Sequence, residues 1–158
     1  MATNYIAQEV AKILEEKKDQ YPDNLALASA WVLAHFKGIN IKIYDAKNAS
    51  SLCDYNVIAS AENTTQAKSM VDTLLKVLKD NEFQIVSLEG VSEGEWILLD
   101  VGDVIIHIFQ DISRDIFDLD SLWRDGNQLP IPPEYYYGPS KDEESPESSK
   151  KGSPINYF

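Results

Sequence analysis

The stretch from Glu95 to Phe109, E-W-I-L-L-D-V-G-D-V-I-I-H-I-F, constrains the fold of this chain most strongly. Two runs of β-branched and large apolar residues, which are typical of strands, flank Val101-Gly102. Gly102 can take the positive φ that a tight turn requires. We therefore interpret the stretch as a β-hairpin whose loop centres on Val101-Gly102.

Pairing across that loop assigns each hairpin residue a partner and a face, since side chains alternate along a strand. The predicted pairs are Leu99 with Val104, Leu98 with Ile105, Ile97 with Ile106, and Trp96 with His107. One face then carries Ile97, Leu99, Val104 and Ile106, and the other carries Trp96, Leu98, Ile105, His107 and Phe109. Because both faces are mostly apolar, the hairpin should lie inside a sheet that is covered on both sides.

Two carboxylates, Asp100 and Asp103, lie at the turn of this hairpin and should repel each other. They are either solvated turn residues or a docking site for cations. A metal-binding pair for phosphoryl transfer is disfavoured, because a glycine turn separates the two acids and they do not share one face of one strand. His107, on a mostly apolar face, is more typical of a core histidine with satisfied hydrogen bonds than of a metal ligand.

The composition indicates one globular domain. A chain of 158 residues with 44% apolar content can bury a real core. No apolar run is long enough for a membrane span, and the first residues lack the apolar centre of a signal peptide. A single cysteine, Cys53, fits a reducing compartment such as the cytoplasm, and with two histidines it makes a zinc site improbable.

The net charge of −12 is concentrated in one part of the chain. Residues 93–125 contain nine acidic and two basic residues and so carry −7 of that total. Direct binding to a nucleic-acid backbone needs the opposite sign of charge. An acidic surface instead suits a basic protein partner and fast, salt-sensitive association, although it can also serve only solubility.

Hydrophobic periodicity predicts an α/β fold with a mixed sheet of about five strands and a hairpin within it. The predicted order is helix, helix, strand, strand, helix, three strands and a last helix. The predicted ranges are helices at 3–19 and 24–37, strands at 39–44, 55–60 and 83–88, a helix from about 63, and a helix after the hairpin. The predicted end signals are Thr3 capping the first helix, Gly38 ending the second, an Asn63–Gln66 capping box at the third, and Asp111 capping the last. Ile112, Ile116 and Leu119 should share one side of that last helix.

The chain changes character after Gly126. A proline- and tyrosine-rich stretch, L-P-I-P-P-E-Y-Y-Y-G-P, favours an extended chain, and residues 142–154 have the charged, serine-rich composition of disorder. We therefore divide the chain into a helical extension at 1–24, a compact α/β domain at 25–126 and a flexible tail at 127–158.

The block W-I-L-L-D-V-G-D-V-I-I-H-I-F and the following S-R-D-I-F-D-L-D-S-L-W, at 113–123, resemble the ribosomal silencing factors, also known as RsfS or Iojap proteins. Upstream, D-A-K-N-A-S-S-L-C-D-Y-N-V-I-A-S at 45–60, N-T-T-Q-A-K-S-M-V-D at 63–72 and the pair Glu89-Gly90 are similar to segments of the same family. The resemblance covers roughly residues 25–126. Gln66, Asn56 and Phe117 depart from the residues usual in the family, which puts details of an interface in doubt.

The resemblance implies a nucleotidyltransferase-like fold without catalytic machinery, cofactor or metal. It implies binding to the large ribosomal subunit through its protein uL-fourteen, which blocks joining of the small subunit and represses translation under nutrient limitation. A homodimer away from the ribosome is a further expectation. The residues expected to bind the ribosomal protein are Trp96, Asp100, Asp103, His107, Arg114 and Trp123, with Trp96 and His107 near or beneath the contact.

Two other functions remain open from the sequence. One is a degenerate nucleotidyltransferase that still binds a nucleotide, but residues 59–66, A-S-A-E-N-T-T-Q, lack the Gly-Ser turn that precedes the acid pair of that fold. The other is an assembly factor for the large subunit, which the sequence does not separate from silencing.

Overall fold

The computed structural model describes residues 2–49 and 52–137. Within these ranges the helices and strands follow the predicted order. The helices are α1 (Ala2–Glu16), α2 (Asp23–His35), α3 (Thr64–Asp80) and α4 (Asp111–Phe117). The strands are β1 (Ile39–Asp45), β2 (Tyr55–Ala61), β3 (Ser87–Glu89), β4 (Trp96–Asp100) and β5 (Val104–Gln110). Short 3₁₀ helices occur at Leu119–Leu122 and Pro133–Tyr137.

The five strands form one sheet in the order β1-β2-β5-β4-β3. Strands β2 and β5 run parallel, whereas the other neighbouring pairs are antiparallel. The predicted α/β class and mixed five-stranded sheet are therefore confirmed. The hairpin β4–β5 lies inside the sheet, as its two apolar faces predicted.

The register of the hairpin differs from the predicted one by two residues. Leu99 pairs with Ile106, and Asp100 pairs with Ile105. The turn lies one residue later than predicted, at Gly102-Asp103, because the backbone N–H of Val101 donates to the Val104 carbonyl at 2.9 Å. The Asp100 carboxylate supports this turn by accepting a hydrogen bond of 2.8 Å from the backbone N–H of Gly102, whose φ is +93°. A shift of two residues leaves every side chain on its predicted face, since the side-chain period of a strand is two.

One face of the sheet carries the main core. Helices α2 and α3 cover this face, and α1 packs on α2. The four hairpin residues predicted to share this face, Ile97, Leu99, Val104 and Ile106, are fully buried. The burial of Ile6, Val10 and Ile13 confirms the apolar stripe of the first helix.

Side chains close the helix ends near the predicted positions. The Asn63 side chain accepts the N–H of Gln66, so Asn63 caps α3 as predicted. The side-chain oxygen of Gln66 accepts the N–H of Glu62 rather than that of Asn63, so the second bond of the predicted capping box reaches the residue before the cap. The Gln66 amide also donates to the carbonyl of Phe36 at the end of α2, at 2.7 Å. This one side chain therefore joins the start of α3 to the end of α2.

Several predicted ends were wrong. Helix α1 begins at Ala2, so Thr3 lies inside it, and the left-handed residue after α2 is Lys37 rather than Gly38. The strand predicted at 83–88 is restricted to Ser87–Glu89. Phe83 is not part of it, because the Phe83 N–H donates to the Leu78 carbonyl at the C-terminal end of α3. Asp111 is the first residue of α4 and does not cap it through its side chain.

The chain beyond residue 126 packs on the domain. Backbone hydrogen bonds of 2.9 Å join Asp45 to Asn127 and Leu129 to Ile43, which continues the pairing of β1. Tyr135 is buried in the main core. The compact body thus extends past the predicted end at 126 and includes the 3₁₀ helix Pro133–Tyr137. The predicted flexible stretch from 138 to 158 lies outside the described residues.

Candidate partner-binding surface

The second face of the sheet carries a smaller core. Tyr44, Ile58 and Phe109 are its buried members, from β1, β2 and β5. Residues 111–126 leave β5 as α4 and then cross this face, so that Leu119 and Trp123 pack against the small core. Trp96 also packs there but remains half-buried. This face is therefore only partly covered.

A chain of hydrogen bonds runs from Trp96 into the sheet. The indole Nε1 of Trp96 donates to Nδ1 of His107 at 3.1 Å. The other ring nitrogen of His107, Nε2, lies 2.8 Å from Oδ1 of Asn56. The Asn56 amide in turn donates to Sγ of Cys53 at 3.4 Å. Trp96 is thus anchored from beneath by a buried histidine, which agrees with the expectation that His107 is a satisfied core residue.

These contacts keep His107 neutral. Because Nδ1 accepts from Trp96, the ring hydrogen must lie on Nε2, where it is donated to Asn56. Burial lowers the pKa of His107 to about 4, and the negative charge of Asp120 offsets this only in part. The imidazole is therefore uncharged at neutral pH and serves as a support.

The two carboxylates at the hairpin turn have different surroundings. Asp100 is half-buried and binds the Gly102 N–H, whereas Asp103 is exposed and accepts a hydrogen bond of 2.9 Å from the Tyr21 hydroxyl. Burial, together with this bond and the charge of Asp103, raises the pKa of Tyr21 to about 12. The turn is therefore tied to the loop between α1 and α2 while its carboxylates stay close to solvent.

Arg114 and Trp123, both expected at the contact, occupy more interior positions than Trp96. Arg114 is buried, and its guanidinium forms a bidentate ion pair with Asp120 at 2.8 and 3.0 Å. Trp123 is half-buried and lies against the ring of Tyr44, with 6.4 Å between the ring centroids. Tyr44 completes the arrangement by donating to Asp120 at 2.7 Å. Burial opposes ionisation of Asp120, but the hydrogen bonds from Arg114 and Tyr44 outweigh it and lower the pKa of this carboxyl group.

An apolar surface that the sequence analysis did not identify lies on α4. Ile112 and Ile116, which are one helical turn apart, are 74% and 71% exposed. Phe117 is half-exposed, and its ring centroid lies 4.9 Å from that of Trp96. We call Trp96, Ile112, Ile116 and Phe117 the apolar patch. A group of exposed apolar side chains on one segment favours an interaction site. The available signal in the sequence was a short helix with two isoleucines one turn apart.

Acidic residues occur on the same segments as this patch. Of the nine acidic residues at 93–125, four have no side-chain hydrogen bond or ion pair among the described residues. These four are Glu95, Asp111, Asp115 and Asp125. Asp111 and Asp115 belong to α4 itself, and Glu95 precedes Trp96. The surface therefore combines apolar side chains with uncompensated negative charge, which fits a partner that is basic and partly apolar.

Two further properties of the described ranges bear on the type of site. No cluster of three or more His, Cys, Asp or Glu side chains in residues 2–49 and 52–137 has a geometry that could hold a metal ion. Within the same ranges, no helix has the length and apolar character needed to cross a membrane.

These features define an α/β domain with an acidic, partly apolar surface on one face of its sheet. The family model described as "Ribosomal silencing factor during starvation" matches residues 16–155, which is most of the chain. The chain belongs to this family. The match extends beyond the range 25–126 on which the resemblance was recognised, at both ends.

Individual relatives agree with this assignment. A protein named "Ribosomal silencing factor RsfS" from Chromobacterium violaceum is 34% identical over 98 residues, which cover 62% of this chain and 79% of the relative. Another protein of that name, from Haemophilus influenzae, is 32% identical over 55% of this chain and 85% of its own length. A mouse protein named "Mitochondrial assembly of ribosomal large subunit protein 1" is 33% identical over 73 residues, 44% of this chain and 32% of its own length.

A solved structure shares the fold. The crystal structure of a protein from Chromobacterium violaceum superposes with a TM-score of 0.60 at 27% identity. The superposition covers 78% of this chain and 90% of the other.

Proposed function

We propose that this protein silences ribosomes by binding the large ribosomal subunit through ribosomal protein uL-fourteen. The bound protein would occupy space that the small subunit needs, so that translation is repressed when nutrients are limited. This is a binding function in the cytoplasm and requires no catalysis, cofactor or metal. The family and the names of its relatives support ribosome association, while uL-fourteen and the occlusion step are our proposal.

The observation that carries the proposal is the apolar patch with its acidic surroundings. Half-exposed aromatic side chains such as Trp96 and Phe117 are typical anchors of protein interfaces. Basic side chains of the ribosomal protein would meet four carboxylates of this surface. Two are Asp111 and Asp115, whose side chains form no hydrogen bond or ion pair among the described residues, and two are the turn residues Asp100 and Asp103. Opposite charges around an apolar centre favour both a fast encounter and a defined orientation.

The proposed contact residues have different roles. Trp96 contacts the partner directly, and His107 supports its indole from beneath through the bond to Nδ1. Trp123 packs on Tyr44 and contributes at the margin of the surface. In the absence of the ribosome, a second copy of this chain is the proposed partner that covers the apolar patch as a homodimer.

Co-sedimentation tests the first part of the proposal. The protein should sediment with isolated large subunits and not with joined ribosomes, because the small subunit occupies the blocked position. Equal sedimentation with both particles would contradict occlusion. No sedimentation with large subunits would overturn the function as a whole.

Charge reversal tests the docking surface. Asp100→Lys should weaken binding to uL-fourteen by roughly 2–5 kcal/mol if the half-buried carboxylate meets a basic group in a desolvated contact. Asp103→Lys, at an exposed position, should act mainly on the association rate and its salt dependence. Asp72→Lys on α3, which covers the opposite face, is the matched control for net charge. Normal affinity and salt dependence in both folded turn variants would contradict docking at this surface.

Two further variants separate binding from stability. Tyr21→Phe removes the hydroxyl that donates to Asp103 without changing the charge. It therefore measures the part of the stability loss in Asp103→Lys that comes from breaking this hydrogen bond. Trp96→Ala should lower both the melting temperature and the affinity, because the indole packs on Phe109 and Phe117 and is also half-exposed. A drop in melting temperature with full affinity in the folded variant would place Trp96 outside the contact.

Assembly of the large subunit is a second candidate function, which the name of the mouse relative favours. An assembly factor acts during growth, whereas a silencing factor acts when nutrients are short. Cells that lack the protein should therefore accumulate large-subunit precursors during growth if assembly is its main role. Normal particles in growing cells, with excess translation only during starvation, would favour silencing.

A further inference from the structure

We propose that Arg114 is a positioning residue for the partner-binding surface. Its guanidinium joins four elements, α4, β1, β2 and the 3₁₀ helix Leu119–Leu122, and thereby holds α4, which carries three of the four residues of the apolar patch, in place without touching the partner. The inference rests on the proposed function for its meaning in binding. The fixation of α4 is a property of the protein alone and can be measured without a partner.

The contacts of the guanidinium show how the joint is made. Nη1 donates to the carbonyl oxygen of Asn40 at 2.7 Å and to the hydroxyl of Ser60 at 3.0 Å, which connects α4 to β1 and β2. Nε and Nη2 donate to the two carboxylate oxygens of Asp120 at 3.0 and 2.8 Å. Tyr44 of β1 donates to the same carboxylate and closes the arrangement.

The backbone of β1 is shaped to meet this arginine. The pairing of β1 with β2 is irregular between Ile39 and Lys42, and Asn40 has a φ of +53°. Asn40 lies inside this irregular stretch, and its carbonyl oxygen accepts a hydrogen bond from Arg114. A lysine cannot replace Arg114. Two nitrogens of the planar guanidinium bind Asp120 in a bidentate pair while the third binds Asn40 and Ser60, and a single ammonium group cannot make both contacts.

Helix α4 needs such a fixed point. It has only seven residues, and a helix of this length is not stable by itself. Two of its three large apolar side chains, Ile112 and Ile116, face solvent, so Phe117 supplies most of its apolar packing. The buried ion pair of Arg114 with Asp120 therefore fixes the position of α4, and with it the positions of Ile112 and Ile116.

Hydrogen exchange tests the fixation directly. In Arg114→Lys, backbone amides of residues 111–122 should exchange faster by about tenfold or more, while those of β5 remain protected. Arg124→Lys is the matched control, since Arg124 forms an exposed ion pair with Asp118 in the same region. Tyr44→Phe, which removes only the hydroxyl bond to Asp120, should give a smaller change in the same direction. Unchanged exchange of the amides at 111–122 in both Tyr44→Phe and Arg114→Lys would overturn the proposal. If Arg114→Lys unfolds globally, the exchange rates of Tyr44→Phe alone decide it, and unchanged rates there would overturn the proposal.

Binding kinetics test the consequence for recognition. Loss of preorganisation in Arg114→Lys should raise the dissociation rate from uL-fourteen by about tenfold or more, with the salt dependence of association unchanged. An altered salt dependence would show that Arg114 meets the partner directly and would contradict a positioning role. Failure of the unaltered protein to bind uL-fourteen would instead count against the proposed function, and the exchange experiment would still decide whether Arg114 fixes α4.

Discussion

Trp96 donates the indole N–H to Nδ1 of His107 at 3.1 Å, and this contact sets the tautomer of an imidazole that burial keeps neutral. A protonated Nδ1 would present a second hydrogen to the indole donor, so protonation requires that the contact be broken. The half-exposed Trp96 at the proposed surface is thus coupled to a neutral histidine in the sheet. Two predictions follow from this pair.

The stability of the protein should fall as the pH decreases from about 6.5 to 4. The unfolded chain takes up a proton on His107 near its ordinary pKa of 6.5, whereas burial delays uptake in the folded state to about 4. The stabilisation is therefore complete above pH 6.5 and is lost on acidification, by roughly 3 kcal/mol at pH 4. Denaturant unfolding of the protein and of His107→Gln across this range measures the effect. Glutamine can accept from Trp96 and donate to Asn56 but does not titrate, so identical pH profiles would contradict the assignment.

Replacing the indole should release the histidine. Trp96→Phe keeps an aromatic ring but leaves Nδ1 of His107 without a donor, and an unsatisfied buried acceptor costs about 1–3 kcal/mol. The pKa of His107 should rise above 4, because the vacant Nδ1 can now take a proton. Titration of the ring nitrogens by NMR measures this change. Trp123→Phe is the control, since that indole packs on Tyr44, and an equal rise there would show that the Trp96 contact is not the cause.

The sequence predicted the elements whose determinants are local. The Asn63 cap and the apolar stripe of α3 both lie within a few residues of the positions they define. The two faces of the hairpin were also predicted, because alternation depends only on neighbouring residues. The register was not, since the turn closes across Gly102-Asp103 with the Asp100 side chain bound to the Gly102 N–H, and alternation of side chains does not indicate which two residues form the turn.

The candidate surface was predicted only in part, because its organisation depends on contacts between distant residues. Arg114 reaches the carbonyl of Asn40, which is 74 residues away in the chain, and no local pattern indicates that this arginine is buried. Ile112 and Ile116 had been predicted to share a helix side, but a helix of seven residues does not reveal whether that side faces the core. The packing of residues 127–137 was missed because their composition indicates only an extended chain.

Nucleoside triphosphates with magnesium should not raise the melting temperature. At the N-terminus of α3, the position where a helix offers free N–H groups to a phosphate, the Asn63 side chain already binds the N–H of Gln66. The segment before this helix, A-S-A-E-N-T-T-Q at 59–66, also lacks the Gly-Ser turn of nucleotidyltransferases. A thermal shift assay checks the prediction, because a ligand at a hundredfold excess over its dissociation constant would stabilise the fold by about 2.7 kcal/mol. A clear increase in the melting temperature would support the alternative that the protein is a degenerate nucleotidyltransferase that still binds a nucleotide.

Two truncations should have very different effects on stability. Deleting residues 140–158 should leave the melting temperature nearly unchanged, because that stretch has few apolar residues with which to pack. Ending the chain at 126 should cost about 3 kcal/mol or more, since it exposes the core around Tyr135 and removes two backbone hydrogen bonds to β1.

Equilibrium unfolding in denaturant measures both changes on one scale. Tyr135→Ala in the full chain is the matched control, because it removes the buried ring and keeps the backbone pairing of Asn127 and Leu129 with β1. The decrease in the free energy of unfolding should therefore be smaller for Tyr135→Ala than for the chain ending at 126. The m value of the chain ending at 126 should also decrease, because less surface is buried on folding. A large loss of stability from deleting 140–158 alone would show that the terminal residues Ile155-Asn156-Tyr157-Phe158 dock on the body, contrary to the composition of that stretch.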